Sequence, residues 1–256
     1  MARTRQPSTA RIASADRAVA LLDALAESGE QGTNELARRT GLTPSTVSRQ
    51  LGTLAASGLV EHVPATGRYR LGIRLVRLAN AALAQLDVRA VARPHLEELV
   101  RATGETATLS VAGGGADAVT VDFVASAHYV RHVTQLGRPS VGHATAAGKV
   151  MLAFAGRPLP EPPLHAFTPR TIVDPNALAA EVERVRRRGY AEAVEEREPG
   201  LSAIAAPAFG SAGELAGIVA LQGPIARFGR GELRAALPLL VGEAAAISAE
   251  LGYARA

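Results

Sequence analysis

Residues Thr33 to Val60 read TNELARRTGLTPSTVSRQLGTLAASGLV. Leu36 is followed by a stop at Gly41, and Thr43-Pro44 then opens a second helical run whose apolar positions are Val47, Leu51 and Leu54. Thr43 is a cap residue, and Pro44 occupies the first helical position, where a missing N–H costs nothing. Thr33 is expected to cap the first helix, with Glu35 favourable in its first turn. Two short helices around a tight turn have the layout of a helix-turn-helix, in which the second helix enters the DNA major groove.

On the second helix Arg49 lies nearly opposite the Val47–Leu51–Leu54 stripe, with Ser45, Ser48 and Thr53 beside it. Hydroxyls can donate to phosphate oxygens, and an arginine can pair with guanine through two parallel bonds. Thr43, Ser45, Thr46, Ser48, Arg49 and Thr53 are therefore the candidate DNA contacts, with Arg38 from the preceding helix. A three-helix scaffold whose polar face is only solvated is the plainer alternative. Next come Val60–Val63 and Tyr69–Leu71, two short strands around Pro64-Ala-Thr-Gly67. This is a wing signal, and Arg68, Tyr69 and Arg70 are its candidate backbone contacts.

Working outward, Ala18, Leu21, Leu22 and Leu25 recur at helical spacing ahead of Gly29. Residues 1–13 are polar, Arg-rich and Pro-containing, and are expected to form a disordered basic arm. The charge is segregated. Residues 1–74 hold ten arginines against six acids, and the remaining eighteen basic and eighteen acidic residues cancel, so the whole net charge of +4 lies beside the helix-turn-helix. Such a field attracts phosphate backbone, although a merely soluble basic surface would look the same.

The chain contains no cysteine, which excludes disulfides, thiolate chemistry and cysteine zinc sites. No apolar run reaches the roughly eighteen residues of a membrane span, no signal core opens the chain, and the cytoplasm is the default location.

From Ile73 to Leu86 runs an Ala/Leu-rich helix, read as a linker and dimerisation helix. A second domain, 88–253, opens with a helix near Arg89–Thr103. Strands are expected at Thr106–Ala112 and Ala118–Val124 around three glycines, and at Ser202–Phe209 and Leu215–Gln222. Helices are expected at Ala144–Ala155, Ala177–Arg188 and Arg230–Leu251. Strands and helices mix without βαβ alternation, which favours α+β with an antiparallel sheet.

Several motifs invite chemistry. Gly142 to Lys149 suggests a phosphate loop, but His143 stands where a glycine is needed and Val150 where a hydroxyl would meet magnesium. The better reading is a Gly/Ala corner at a helix start, whose free N–H groups suit a carboxylate. His128 and His132 are four apart, but SAHYVRHV alternates like a strand, which separates two such imidazoles by about 13 Å. Ser140 and His143 lack a nucleophile elbow and a partner acid. The arginines at 184 and 186–188 read as a solvated helix face. No catalytic set, metal or cofactor is expected. An enzyme carrying an accessory helix-turn-helix domain is the rival reading, and a module acting through protein contacts alone is a third.

The chain as a whole resembles the IclR-type winged-helix regulators. The residues that carry the resemblance are SADRAVALLDALAES, ELARRTGLTPSTVSRQLGTLAASGLVEHV and GRYRLGIRLVRLA, then Gly137–Lys149, Glu195–Pro207 and Ala220–Pro224. It spans about residues 12 to 253. It implies a DNA-binding domain over 14–72, a GAF-like effector domain, a dimer or tetramer, a palindromic operator near a catabolic operon, and a small organic-acid effector. Ala146, Ala147, Ala193, Ala203, Ala220 and Gln222 match positions that line the family's effector pocket. Relatives that take very small oxoacids usually carry acids, hydroxyls or a thiol at several of these points. Alanines here suit a larger or more apolar acid, including an aromatic one, or simply a tight core.

Overall fold

The computed structural model describes residues 12–83, 87–129 and 134–254, and the chain divides into two compact units at Gln85/Leu86. Nearly all of the expected basic arm, the last three residues of the expected linker helix and His132 lie outside the described residues.

The first unit comprises α1 (Ala13–Ser28), α2 (Thr33–Thr40), α3 (Pro44–Ala56), β1 (Val60–Val63), β2 (Arg68–Leu71) and α4 (Arg74–Leu83). Leu21 and Leu25 of α1, Leu36 of α2, and Val47, Leu51 and Leu54 of α3 bury together with Val60. Gly41 turns the chain from α2 into α3 with φ of 70°, a left-handed conformation that favours glycine. The Thr43 side chain then accepts from the Thr46 N–H at 3.3 Å, as a cap should.

The start of α2 differs from expectation. Gly32, not Thr33, is the capping residue: its carbonyl accepts from the Leu36 N–H, and its own N–H donates to Glu35 Oε2 at 3.0 Å. The Glu35 carboxylate thus satisfies the N–H of the capping residue, the reciprocal half of a capping box. β1 and β2 pair antiparallel, Val60 opposite Leu71. Gln31 and Tyr69 exchange both backbone hydrogen bonds, at 2.9 and 2.8 Å, tying the α1–α2 loop to the wing.

The second unit comprises α5 (Asp87–Thr103), β3 (Thr106–Ala112), β4 (Ala118–Val124), β5 (Pro139–Ser140), α6 (Ala146–Phe154), α7 (Pro175–Arg188), β6 (Ala191–Val194), β7 (Leu201–Phe209), β8 (Leu215–Pro224) and α8 (Arg230–Glu250). Its sheet is antiparallel throughout, in the order β5-β4-β3-β8-β7-β6. The fold class is α+β. Alternation sends Ala193, Ala205, Ile218 and Ala220 to one face, where they join the core formed by α6 and α7. Leu109, Ile204, Val219 and Leu221 point to the other face and are completely buried; α5 and α8 pack against those strands.

Two outcomes depart from the sequence reading. The sheet gains two short edge strands beyond those expected, the two-residue β5 and the four-residue β6. The β-like reading of residues 126–133 is not upheld where it can be seen, because Ser126–Tyr129 form no strand; Ser126 instead bonds back to Gly104 O at 2.6 Å and pins the segment to the end of α5. Among the described residues, no helix is long and apolar enough to cross a membrane.

Candidate functional site

In the first unit, α3 presents Ser45, Ser48, Arg49 and Thr53 to solvent, while Val47, Leu51 and Leu54 hold the helix from behind. The hydroxyls of Thr43, Ser45 and Thr46 converge at the helix start: Thr43 Oγ1 lies 3.2 Å from Ser45 Oγ and 2.9 Å from Thr46 Oγ1. Thr53 donates to the Arg49 carbonyl at 3.2 Å. Arg38 and Arg49 are exposed, and neither is ion-paired among the described residues. A hydroxyl-rich helix start joined to unpaired guanidiniums is chemically suited to phosphate oxygens and base edges.

The wing is different. Arg68 Nη2 contacts Glu35 Oε1 at 2.7 Å and Nη1 contacts Glu30 O at 3.2 Å, so this side chain clamps the wing to α2. Arg70 pairs with Glu61 on the facing strand at 3.0 Å. Tyr69 is half-buried against the core, its ring 4.9 Å from His62. All three expected wing contacts are thus already engaged within the unit. The Gly32 N–H, followed by the charges of Arg68 and Arg38, holds the Glu35 carboxyl below its usual range.

In the second unit, Ala146, Ala147, Ala193, Ala203, Ala220 and Gln222 all line one cleft of about 700 Å³, open mouth included. The sheet explains the convergence. Ala193 pairs with Ala203, Ala203 with Gln222, and Ala220 with Thr108, so these side chains share one face across β6, β7, β8 and β3. The start of α6 closes over that face. Thr145 caps it, accepting from the Gly148 N–H at 3.0 Å. The N–H groups of Ala146 and Ala147 find no acceptor among the described residues.

Both glycines of the Gly142–Lys149 stretch are packing devices. A Cβ on Gly148 would lie 2.3 Å from Val141 O, and one on Gly142 would lie 2.4 Å from Ala116 O. Lys149 reaches no phosphate position. It is 1% exposed, and its Nζ donates to Glu192 O at 2.9 Å and to Glu196 Oε1 at 2.6 Å. Burial, partly offset by Lys149, pushes the Glu196 carboxyl above its usual range, and its Oε2 is buried with no hydrogen-bond partner among the described residues.

His143 is buried, bonded through Nε2 to His165 O at 2.9 Å and stacked on Phe167, which is a structural role. Arg184 and Arg186 pair with Glu181 and Glu183 on their own helix, and Arg188 also reaches Glu181, in keeping with a solvated face.

The cleft also contains residues that sequence reasoning missed. Thr108 and Thr120 bring hydroxyls from the sheet, and Arg138, Glu196, Arg197 and Glu198 bring charge from two loops. The stretch Glu195-Glu-Arg-Glu198 was visible as charge, but its direction depends on the hairpin between β6 and β7.

Two family models match this chain, the IclR helix-turn-helix domain over residues 14–64 and the bacterial transcriptional regulator IclR C-terminal domain over residues 80–249. The chain belongs to the IclR family of transcriptional regulators.

Among relatives of this IclR-family chain is the HTH-type transcriptional regulator BhcR of Paracoccus denitrificans, 39% identical over 88% of this chain and 82% of that protein. The glycerol operon regulatory protein of Streptomyces coelicolor is 36% identical over 95% of this chain and 98% of its own length. A solved IclR homologue from Microbacterium hydrocarbonoxydans, complexed with 4-hydroxybenzoate, superposes with a TM-score of 0.76 at 26% identity, covering 93% of this chain and 98% of that one. This IclR-family protein is a DNA-binding transcriptional regulator that answers to a small-molecule effector, not an enzyme.

Proposed function

We propose that this regulator binds an imperfectly palindromic operator as a homodimer or a dimer of dimers, and that a small organic acid controls it from the cleft of the second unit. The observation that carries the effector reading is that Ala146 and Ala147 of α6, Ala193 of β6, Ala203 of β7, and Ala220 and Gln222 of β8 line that one cleft. Free N–H groups at the start of α6 suit a carboxylate. The alanine walls leave room for an apolar body, aliphatic or aromatic, in line with the 4-hydroxybenzoate held by the Microbacterium homologue.

For DNA, the exposed Ser45, Ser48 and Arg49 carry the reading, with Arg38, Thr43, Thr46 and Thr53 around them. The wing residues Arg68, Tyr69 and Arg70 add backbone contacts with whatever donors their internal pairing leaves open. The helix α4 serves as a linker and dimerisation element. Ile73, just before the helix, and Val76, three positions on, are exposed at 77 and 51%, an apolar strip that a second copy would cover. Two recognition helices would then meet half-sites one helical turn apart. Effector binding favours one dimer arrangement and shifts the population, relieving repression of a catabolic operon in the cytoplasm.

A gel-shift titration over the DNA upstream of the protein's own coding region tests this reading. Specific retardation, weakened by added aliphatic or aromatic acids, is expected. Retardation no stronger than on random DNA would overturn the operator reading, and indifference to every acid would overturn the effector reading.

A further inference from the structure

We propose that the cleft selects an acid that also carries a hydroxyl group, and that Thr108, on the floor of the cleft, receives that hydroxyl. This rests on the reading of the cleft as an acid-effector site and deepens it by naming a second functional group of the ligand.

Strand β3 turns three hydroxyls, those of Thr106, Thr108 and Ser110, to the face that also carries Ala220. The outer two are engaged. Thr106 Oγ1 accepts from the Ser126 N–H at 3.1 Å, and Ser110 Oγ lies 3.4 Å from Thr120 Oγ1. The middle residue, Thr108, is only 5% exposed, yet its hydroxyl has no hydrogen-bond partner among the described residues. It is also the one of the three that lines the cleft. Glu196 Oε2 is shut inside the wall, whereas Thr108 Oγ1 opens on the cleft. A hydroxyl withdrawn from water without a partner costs stability, and a valine would fill the same space without that cost. A bare hydroxyl kept at the floor of a binding cleft is matched by a group of the ligand.

Gln222 lies one diagonal step away on the same face, because β8 sets Ala220 opposite Thr108 and Gln222 opposite Thr106. Its Nε2 donates to Thr134 Oγ1 at 2.6 Å, and its Oε1 receives no donor among the described residues. The floor therefore presents a hydroxyl, which can donate or accept, beside an amide oxygen that can only accept. A ligand methyl group satisfies neither. A ketone oxygen could use Thr108 alone, and a carboxylate would set one acceptor against another at Gln222. A ligand hydroxyl both donates and accepts, and so suits the pair. The side chains of Ala203 and Ala220, which line the same floor, bring no competing polar atom.

The test is isothermal titration of the full-length protein with acids paired so that a methyl group replaces a hydroxyl: 4-hydroxybenzoate against 4-methylbenzoate, 4-hydroxybutyrate against pentanoate, and 3-hydroxybutyrate against 3-methylbutyrate. In the tightest-binding pair the wild type is expected to hold the hydroxy acid at least about tenfold more tightly than its methyl twin, since the twin leaves the floor groups unmatched. Thr108→Val is expected to bring that pair within about twofold of each other while keeping or raising the melting temperature of the free protein, because the hydroxyl it removes makes no internal bond. Thr108→Ser is expected to keep most of the preference. Equal affinity within every pair in the wild type would overturn the proposal and leave the acid-effector reading standing. An unchanged preference in Thr108→Val, or an equal loss for both acids, would also overturn it. Failure of every acid to bind would overturn both.

Discussion

Lys149 Nζ and Glu196 Oε1 lie 2.6 Å apart behind the wall of the cleft, joining α6 to the loop after β6 through a buried ion pair. Both side chains are largely shut off from solvent, so removing either one strands the other's charge in a dry environment. Lys149→Met leaves Glu196 unpaired and is expected to destabilise the unit by about 3–5 kcal/mol. The double variant Lys149→Met with Glu196→Leu is expected to recover most of that loss, because a buried pair contributes less than breaking it costs. Urea denaturation of the two variants checks this.

Gly148 sits in the first turn of α6 with no space for a methyl group, since its Cβ would stand 2.3 Å from the backbone of Val141. Replacing glycine by alanine inside a helix ordinarily gains about 1 kcal/mol. Here Gly148→Ala is expected to lose about 1–3 kcal/mol through overpacking and to weaken effector binding, because the α6 start lines the cleft. Thermal denaturation with and without a bound acid gives the sign.

His95 of α5 bridges two carboxylates of α8, Nδ1 to Glu243 at 2.5 Å and Nε2 to Glu250 at 3.1 Å. Burial favours the neutral ring, but the two carboxylates outweigh it and raise the pKa above its ordinary value. The folded state therefore binds this proton more tightly than the unfolded chain does. The resulting stability is complete below the unfolded value of about 6.5 and is lost as pH rises through the higher folded value. Melting temperatures are expected to fall across that window in the wild type, and less so in His95→Gln. An identical pH profile in the variant would remove His95 from the account.

The elements legible in the sequence are those fixed locally. Thr43-Pro44 and Gly41 set the α2–α3 turn within a few residues, and the Val47–Leu51–Leu54 stripe sets which face is buried. The two edge strands were not legible: β5 has two residues, and Ala191-Glu-Ala-Val194 carries almost no strand propensity. The six cleft residues could be picked out through family resemblance, but Arg197 could not, because the ring it lies over, Phe167, is thirty positions away in the chain. The engagement of Arg68 by Glu35 was hidden for the same reason, the pair being 33 residues apart in the chain.

That pair separates the two halves of the DNA-binding surface. Arg68 is already committed to Glu35, whereas Arg49 is not ion-paired among the described residues. Arg68→Ala is therefore expected to weaken operator binding less than Arg49→Ala does, and to do so evenly across sequences, as loss of a backbone contact would. Competition with random DNA measures the evenness.

The account depends most directly on α3 lying in a DNA groove with Arg49 against the duplex. Fluorescence anisotropy of labelled operator DNA, titrated with wild type and Arg49→Ala over a range of salt concentrations, tests that placement. The expected result is at least a tenfold loss of specific affinity, consistent with the roughly 1–3 kcal/mol of a base contact; if Arg49 instead meets phosphate, the salt slope should fall by about one. Unchanged affinity and an unchanged slope would contradict the account.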